Sequence, residues 1–266
     1  MSLGTLARRL IYKTFGFRTY LVILSRIFFL NYQMGWLRNN PLYRFNYFSK
    51  EVIHKGDVII DIGANLGYFT RLFAKWVGDE GKVYAVEPVQ VMGEVLKKNI
   101  SGFRNVEVLP YALGTEKKKI ELLNVTEQHM GYLASGSNFI PEQKTDQEKE
   151  GTVFEAQMKR GSDLFNNLSR LDFIKCDIEG YETVVLPEMK SVIEKHRPIV
   201  LVESRREKRK QIIDFFTALG YLGIEYSGDQ LVRTTLTSTS DESDIMFFYG
   251  ANKERLKNIV PSLNLS

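Results

Sequence analysis

Short apolar runs alternate with amphipathic stretches over most of this chain. Runs that are apolar throughout and end in glycine, proline or acidic residues are typical of buried parallel strands. Such runs lie at 57–62, 82–86, 106–109, 173–177 and 198–203, and two later ones lie at 221–226 and 245–249. Apolar residues recur every three or four positions between them, which predicts helices at about 68–78, 91–99, 182–195 and 206–219.

Repeated strand–helix units predict an α/β fold with a mostly parallel sheet and helices on both faces. Ligands of such sheets bind at the carboxyl ends of the strands. Acidic residues stand at these ends in the sequence, namely Asp61, Glu87, Asp177, Glu179 and Glu203. We therefore expect the functional site at this edge of the sheet.

A long insertion separates the third predicted strand from the fourth. Residues 118–123 and 153–158 are predicted to be short strands, whereas the polar segment 126–151 has the composition of a loop. A loop of this length within a domain is usually functional or disordered.

The N-terminal fifty residues differ from the rest of the chain in charge. They hold eight basic residues and no acidic ones, so the remainder carries 28 basic against 32 acidic residues. Residues 20–30 are strongly apolar but are interrupted by Arg26, and they are too short for a membrane span. Two interpretations stay open: this arm packs on the body as helices, or residues 1–30 lie on an anionic membrane surface as peripheral contacts.

The composition excludes several classes of protein. A hydrophobic content of 44% and a charged content of 26% are those of a globular chain and not of a disordered one. The single cysteine, Cys176, excludes an internal disulfide and a multi-cysteine zinc site, so we expect no structural metal and a reducing, cytoplasmic compartment. Because the body is mildly acidic, we expect no nucleic-acid partner.

A glycine-containing turn joins the first strand to the first helix. Gly63 suits a tight turn, Gly67 suits a close approach of the helix to a ligand, and the helix start would offer free N–H groups to an anion. The spacing G-x-x-x-G lacks part of the dinucleotide pattern G-x-G-x-x-G. Glu87 lies 20 residues beyond Gly67, where a carboxylate accepts both ribose hydroxyls of NAD or of S-adenosylmethionine; its alternative role is to cap the next helix.

Four ordered motifs carry a family resemblance. The segments VIIDIGANLGYFT, VYAVEP, FIKCDIEGYETVVL and IVLVE resemble the FkbM-type, class I methyltransferases that depend on S-adenosylmethionine. The resemblance covers roughly residues 56–249 and implies a Rossmann-like seven-stranded sheet preceded by the helical arm. It also implies S-adenosylmethionine as the cofactor and O-methylation of a sugar or another hydroxylated metabolite, or of a lipid-linked form of either. We therefore divide the chain into an arm, residues 1–50, and a methyltransferase domain, residues 51–266, with an insertion at about 118–160.

The resemblance also implies the cofactor contacts. The glycine turn would surround the methionine part, Glu87 would bind the ribose, and the segment around Ala112 would lie near the adenine. The predicted cofactor-binding residues are Asp61, Gly63, Ala64, Asn65, Gly67, Tyr68, Glu87, Pro88 and Ala112.

Three acidic residues are the predicted catalytic groups. Asp177, Glu179 and Glu203 follow the fourth and fifth predicted strands, and a carboxylate facing the acceptor would serve as a base or orient the substrate. Asp177 would alternatively cap the next helix, or the three acids would hold Mg²⁺ through their oxygens.

Two other function classes stay open from the residues alone. One is an NAD-linked oxidoreductase or epimerase on the same kind of sheet, against which the incomplete glycine pattern argues. The other is a non-catalytic module that docks on membranes through its arm and retains the fold.

Overall fold

The computed structural model describes residues 3–141, 151–203, 207–235 and 244–250. The strands of this part of the chain are β1 (Val58–Ile62), β2 (Lys82–Val86), β3 (Val106–Leu109), β4 (Ala112–Gly114), β5 (Lys118–Asn124), β6 (Thr152–Arg160), β7 (Phe173–Cys176), β8 (Ile199–Glu203), β9 (Leu222–Ser227), β10 (Gln230–Arg233) and β11 (Asp244–Phe248). Its helices are α1 (Leu3–Gln33), α2 (Arg44–Val52), α3 (Tyr68–Val77), α4 (Gln90–Asn99), α5 (Thr126–Met130), α6 (Gly161–Phe165), α7 (Glu182–Glu188), α8 (Lys190–His196) and α9 (Arg209–Ala218).

The main sheet has the order β10-β9-β11-β8-β7-β1-β2-β3. Strands β3, β2, β1, β7 and β8 run parallel to one another, whereas β11 is antiparallel to both β8 and β9. The seven predicted strands are all present. An eighth, β10, pairs with β9 at the edge and was not predicted. The chain order reverses between β1 and β7, which is where an open α/β sheet leaves a crevice for ligands.

Helices cover both faces of the main sheet, as predicted. Ile60 and Ile62 of β1 pack with α7, α8 and α9 on one face. The residue between two such positions points to the other face, so Ile59 packs with α2 and α3 instead. The apolar runs that predicted β1, β7 and β8 arise because both faces of these parallel strands are buried.

The N-terminal arm packs on the body through its second half. Helix α1 bends at Gly16, where φ is 74° and ψ is 168°. Beyond the bend, Tyr20, Leu21, Phe28 and Phe29 are buried. The predicted boundary at residue 50 falls within α2, whose residues belong to the core under the sheet. No helix among the described residues is both long enough and apolar enough to cross a bilayer.

A second, three-stranded sheet of order β4-β6-β5 forms most of the insertion. We call the described residues 112–141 and 151–160 the cap. The prediction of a loop from residue 126 was wrong at its start, because residues 126–130 form α5, and residues 142–150 lie outside the described part. The single helix predicted over 182–195 is divided at Met189 into α7 and α8, and Pro187 lies in the last turn of α7.

Candidate functional site

A central cavity of about 460 Å³ lies at the carboxyl ends of β1, β2, β7 and β8, under the cap. Its volume is within the range of small-molecule sites. The predicted site residues that line it are Gly63, Asn65, Glu87, Pro88, Ala112, Asp177, Glu179 and Glu203. The structure therefore brings four of the five acidic residues at the strand ends to the wall of one cavity.

The other predicted contacts lie outside the wall of this cavity. Asp61 and Ala64 are buried beneath it. Gly67 packs against α4, since a Cβ atom there would lie 3.3 Å from Cγ of Leu96. A side chain at Gly67 would therefore press against α4, and the predicted contact of Gly67 with a ligand stays a prediction. Tyr68 lines a neighbouring cavity instead.

Gly63 is required by both conformation and space. Its φ is +76°, in the left-handed region that favours glycine. A Cβ atom at this position would lie 1.8 Å from the carbonyl oxygen of Asp177. The turn after β1 and the loop after β7 are therefore in contact at the floor of the cavity, which only glycine permits.

The N–H groups of the turn bond within the protein. Gly63 and Ala64 both donate to the carbonyl oxygen of Val86 at 3.0 Å, and Asn65 donates to Oε2 of Glu87 at 2.8 Å. The expected supply of free donors for an anion is therefore not found in these residues. The side chain of Asn65 is different. Asn65 lines the cavity, and its Oδ1 atom is buried and has no hydrogen-bond partner among the described residues.

Glu87 joins two loops at the end of β2. Its Oε2 accepts the N–H of Asn65, and its Oε1 accepts the N–H of Val89, just before α4, at 2.8 Å. Burial raises the pKa of Glu87 to about 7, and the two N–H donors only partly offset that rise. The N–H that Oε1 accepts belongs to Val89, the residue before α4, and not to the helix itself, and each carboxylate oxygen retains a lone pair for a further donor.

A buried lysine, Lys175, holds two carboxylates at the floor of the site. Its Nζ lies 2.9 Å from Oδ2 of Asp177 and 3.8 Å from Oδ1 of Asp61. Burial works against the charge of Lys175, but the two carboxylates outweigh it and raise its pKa. Burial raises the pKa of Asp61, which also accepts a hydrogen bond from the Thr70 hydroxyl at 2.5 Å.

Asp177 and Glu203 form a hydrogen-bonded pair of carboxyl groups. Burial would raise the pKa of Asp177, but the Lys175 ammonium and the hydrogen bond with Glu203 together lower it. The hydrogen bond with Asp177, followed by burial, raises the pKa of Glu203. The two opposite shifts favour the proton of the pair on Glu203 and the negative charge on Asp177.

The loop after β7 is held by a carboxylate that the sequence analysis did not single out. Glu182 is buried, and its Oε1 accepts the N–H groups of Ile178 at 2.9 Å and of Gly180 at 3.2 Å. Helix α7 begins after Tyr181 without a side-chain cap, so Asp177 does not serve as that cap. In the part of the chain that is described, no group of three or more His, Cys, Asp and Glu residues is arranged to hold a metal ion.

The sequence analysis did not predict several residues of the candidate site. Lys175 lies in an otherwise apolar strand. Because a buried charge is normally paired, this pattern could have predicted a charged partner for Lys175 in the site. The cap supplies Ser135, Gly136 and Asn138 to the wall of the central cavity, and the arm supplies Tyr43. The length of the insertion could have predicted that cap residues contribute to the site, because long loops within a domain are usually functional.

A second cavity and a groove adjoin the central cavity. The arm cavity, of about 320 Å³, lies between α1 and the cap and shares Tyr43, Ser135 and Gly136 with the central cavity. The side groove, of about 770 Å³, lies between α4 and the small sheet and shares Glu87 and Pro88. Glu87 is buried and thus lies in the wall between the central cavity and the side groove.

Comparisons with known proteins identify the family. A family model described as "Methyltransferase FkbM domain" matches residues 61–222. Protein-L-isoaspartate O-methyltransferase of Methanosarcina mazei is 37% identical over 57 residues, which is 21% of this chain and 24% of that protein. The corresponding enzyme of Ignicoccus hospitalis is 32% identical over 59 residues, 21% of this chain and 28% of that protein. The matched stretch thus spans about a quarter of the length of these curated relatives.

Solved structures are similar at low sequence identity. The methyltransferase FkbM of Methylobacillus flagellatus KT has a TM-score of 0.48 and 14% identity, over 74% of this chain and 44% of that chain. The fibrillarin of Aeropyrum pernix, solved with natively bound S-adenosyl-L-methionine, has a TM-score of 0.40 and 11% identity, over 73% of this chain and 67% of that chain. Because the family model covers more than half of its length, the chain belongs to the FkbM family of methyltransferases, whose cofactor is S-adenosylmethionine.

Proposed function

We propose that this protein transfers the methyl group of S-adenosylmethionine to a hydroxyl group of a saccharide or another small hydroxylated metabolite. The observation that supports the proposal is the set of residues that line the central cavity. Glu87, the unpartnered Oδ1 of Asn65 and the Asp177–Glu203 pair all line it. The first two suit the cofactor, and the pair suits an acceptor hydroxyl.

Each part of the cofactor would meet a chemically suitable residue in the wall of the cavity. The remaining lone pairs of the Glu87 carboxylate would accept the two ribose hydroxyls. The buried Oδ1 of Asn65 would accept a hydrogen bond from the ammonium group of the methionine part. Tyr111, Ala112 and Leu113 would form the wall against the adenine. Asp61 lies beneath the wall and supports the site through Lys175 without a contact of its own.

The acidic pair would orient the acceptor. When bound, S-adenosylmethionine supplies an electrophilic methyl group on a cationic sulfur. The lowered pKa of Asp177 favours its ionised form, and its side chain is 33% exposed. Its remaining lone pairs would accept the hydrogen of the acceptor hydroxyl and take up the proton as that oxygen is methylated. Lys175 and the protonated Glu203 keep the negative charge of Asp177 in place. Glu179, on the same wall, would contact the acceptor or the ammonium group.

A binding titration tests the cofactor half of the proposal. We expect S-adenosylhomocysteine to bind the full chain with one site, and the substitution Glu87→Gln to weaken binding by about 1.5–3 kcal/mol, because a charged acceptor is lost. The matched control is Glu94→Gln on α4, which lines only the side groove. Binding of NAD in place of S-adenosylhomocysteine, or a loss in Glu94→Gln with none in Glu87→Gln, contradicts the proposed site.

An acceptor screen tests the reaction half. Candidate saccharides and hydroxylated metabolites are incubated with protein and cofactor, and products are sought by mass as a gain of one methyl group. With an acceptor in hand, we expect Asp177→Asn to lower kcat at least tenfold while the Kd for S-adenosylhomocysteine stays within about threefold. Unchanged turnover in this variant removes Asp177 from its role.

A second proposal concerns the outer side of the arm, and it commits to an anionic lipid surface. Leu6, Leu10 and Phe15 are 53%, 69% and 58% exposed, and Ile27 and Leu30 are exposed further along α1. Basic residues accompany them, and the first fifty residues hold no acidic ones. Exposed apolar side chains beside basic ones are the pattern of a helix that lies in a membrane interface.

Sedimentation with vesicles tests this contact. We expect the full chain to sediment with phosphatidylglycerol vesicles at low salt, less so at high salt, and poorly with phosphatidylcholine alone. The double variant Leu10→Ser/Phe15→Ser should lose binding. The control Leu42→Ser changes a residue that is 77% exposed but lies outside α1. If the intact protein stays in the supernatant at low salt, the membrane contact is contradicted.

A further inference from the structure

The arm cavity has walls that suit a polar, ring-shaped molecule. Helix α1 forms one side of it and the cap segment 132–137 forms the other. Its aromatic lining residues are Tyr20, Phe28, Tyr43, Tyr68 and Tyr132. Tyrosine rings present an apolar face together with a hydroxyl, a combination that matches the two kinds of surface on a sugar ring.

The polar groups of this cavity are unequally satisfied. The Tyr68 hydroxyl is hydrogen-bonded to Ser135, and the Arg8 guanidinium donates to the Tyr132 hydroxyl. The Tyr20 hydroxyl is buried and has no hydrogen-bond partner among the described residues. A buried hydroxyl without a partner costs free energy unless a ligand or water satisfies it.

Charge selects the kind of ligand. Arg8 lines the cavity, and the described lining residues include neither Asp nor Glu. The carboxylates of the site, Asp177, Glu179 and Glu203, line the central cavity and do not line the arm cavity. One guanidinium facing an otherwise neutral aromatic cavity favours an oxyanion, and its planar fork suits a carboxylate or a phosphate.

We propose that the arm cavity is the acceptor subsite and that it takes a saccharide bearing an oxyanion, which Arg8 binds while the Tyr20 hydroxyl bonds the sugar. The shared residues Tyr43, Ser135 and Gly136 then mark the passage along which the acceptor reaches the central cavity. This inference rests on the proposed methyl transfer, because it needs the cofactor in the central cavity. It makes the arm part of the substrate site.

The test measures the binding of three matched probes to the full chain saturated with S-adenosylhomocysteine. They are methyl glucoside, glucuronic acid and glucose 6-phosphate, and the two acids distinguish a carboxylate from a phosphate. We expect at least one acid to bind at least tenfold more tightly than the neutral probe. Arg8→Gln should abolish that difference, Arg8→Lys should restore part of it, and Lys13→Gln, an exposed basic residue of the same helix that does not line the cavity, should leave it unchanged.

A second variant and a separate titration keep the outcomes distinct. Tyr20→Phe retains the buried ring and removes only the hydroxyl, and we expect it to weaken probe binding at least threefold. The Kd for S-adenosylhomocysteine should stay within twofold in all variants. Equal binding of neutral and acidic probes, no binding of either acid, or no effect of Arg8→Gln overturns the subsite. Failure of S-adenosylhomocysteine to bind the unaltered chain overturns the proposed function itself.

Discussion

Buried charges set the chemistry of the site at the scale of single residues. Glu87 is a carboxylate whose burial is offset mainly by two backbone donors and less by the charge of Lys175. Asp61 and Asp177 are offset by the ammonium of Lys175. The first arrangement leaves the pKa of Glu87 near neutrality, whereas the second lowers the pKa of Asp177, so a change in pH near 7 acts on Glu87 and leaves Asp177 charged.

Nucleoside binding should depend on pH through Glu87. Its pKa in the folded chain is about 7, and ribose hydroxyls donate to the ionised form. Lowering the pH through 7 should therefore weaken binding of 5′-methylthioadenosine by about tenfold per unit, with a proton released on binding near pH 7. This probe keeps the ribose and lacks the titrating amino-acid part of the cofactor. Calorimetry in two buffers of different ionisation enthalpy measures the proton; a Kd constant from pH 6 to 8 contradicts the role of Glu87.

The same shift has a consequence for stability. Because the pKa of Glu87 is raised on folding, its stabilising contribution is complete below the unfolded value and is lost as the pH rises through about 7.

Removing Lys175 should leave a buried negative charge without a counter-charge. We expect Lys175→Met to lower the free energy of unfolding by about 3–5 kcal/mol, since Asp61 then lacks its counter-charge. The double variant Lys175→Met/Asp61→Asn removes that charge and should recover part of the loss. Urea unfolding of both variants measures the coupling. Additive losses in the double variant would show that the ion pair does not act as a unit.

At the scale of elements, the turn after β1 meets the loop after β7 at Gly63. Gly63→Ala should lower the free energy of unfolding by about 3–5 kcal/mol, because the left-handed backbone is strained and the new Cβ atom meets the Asp177 carbonyl. The matched control is Gly56→Ala. Its φ is +80° and it has no atom within 4 Å of an added Cβ, so only about 1–2 kcal/mol should be lost. Equal losses in urea unfolding would mean that the contact with Asp177 carries no cost.

The sequence predicted the elements that show an apolar run or a helical period, and it missed the short elements β10 and α5, which show neither. Strands β2 and β3 have the bounds that their apolar runs indicated. Strand β10 carries exposed polar residues at both ends, and α5 is only five residues long, so neither has a recognisable period.

The site was predictable where chain topology alone decides it. Acidic residues that end parallel strands had to meet at one edge, and Glu87, Asp177 and Glu203 do. The cap, the arm and the pairing of Lys175 with Asp61 depend on contacts between distant segments. Nothing in a local pattern reports such contacts, so Tyr43 and Ser135 were not expected in the cavity wall.

At the scale of the whole molecule, the arm is a wall of the site as well as a cover for the core. Tyr20 lies on the cap side, with its ring 5.8 Å from that of Tyr132, and Phe28 lies 4.4 Å from the ring of Tyr68. We therefore propose that arm and methyltransferase domain fold as one cooperative unit, although their charge differs.

Two truncations test whether the arm and the methyltransferase domain fold as one cooperative unit. Deletion of residues 1–15 ends at the bend and should leave the Kd for S-adenosylhomocysteine within about twofold. Deletion of residues 1–33 also removes the buried Tyr20, Leu21, Phe28 and Phe29, and it should cost about 5 kcal/mol or more of unfolding free energy. Urea unfolding separates the two cases. A stable, cooperatively folding protein after the longer deletion would show that the arm is an independent appendage.

The account depends most on where the cofactor lies. The direct measurement is a crystal structure of the full chain with S-adenosylhomocysteine. We predict density in the central cavity, with the ribose hydroxyls within hydrogen-bond distance of the Glu87 carboxylate and the amino group at Oδ1 of Asn65. A ligand seated in the side groove or the arm cavity, with Glu87 bound only to Asn65 and Val89, would contradict the account.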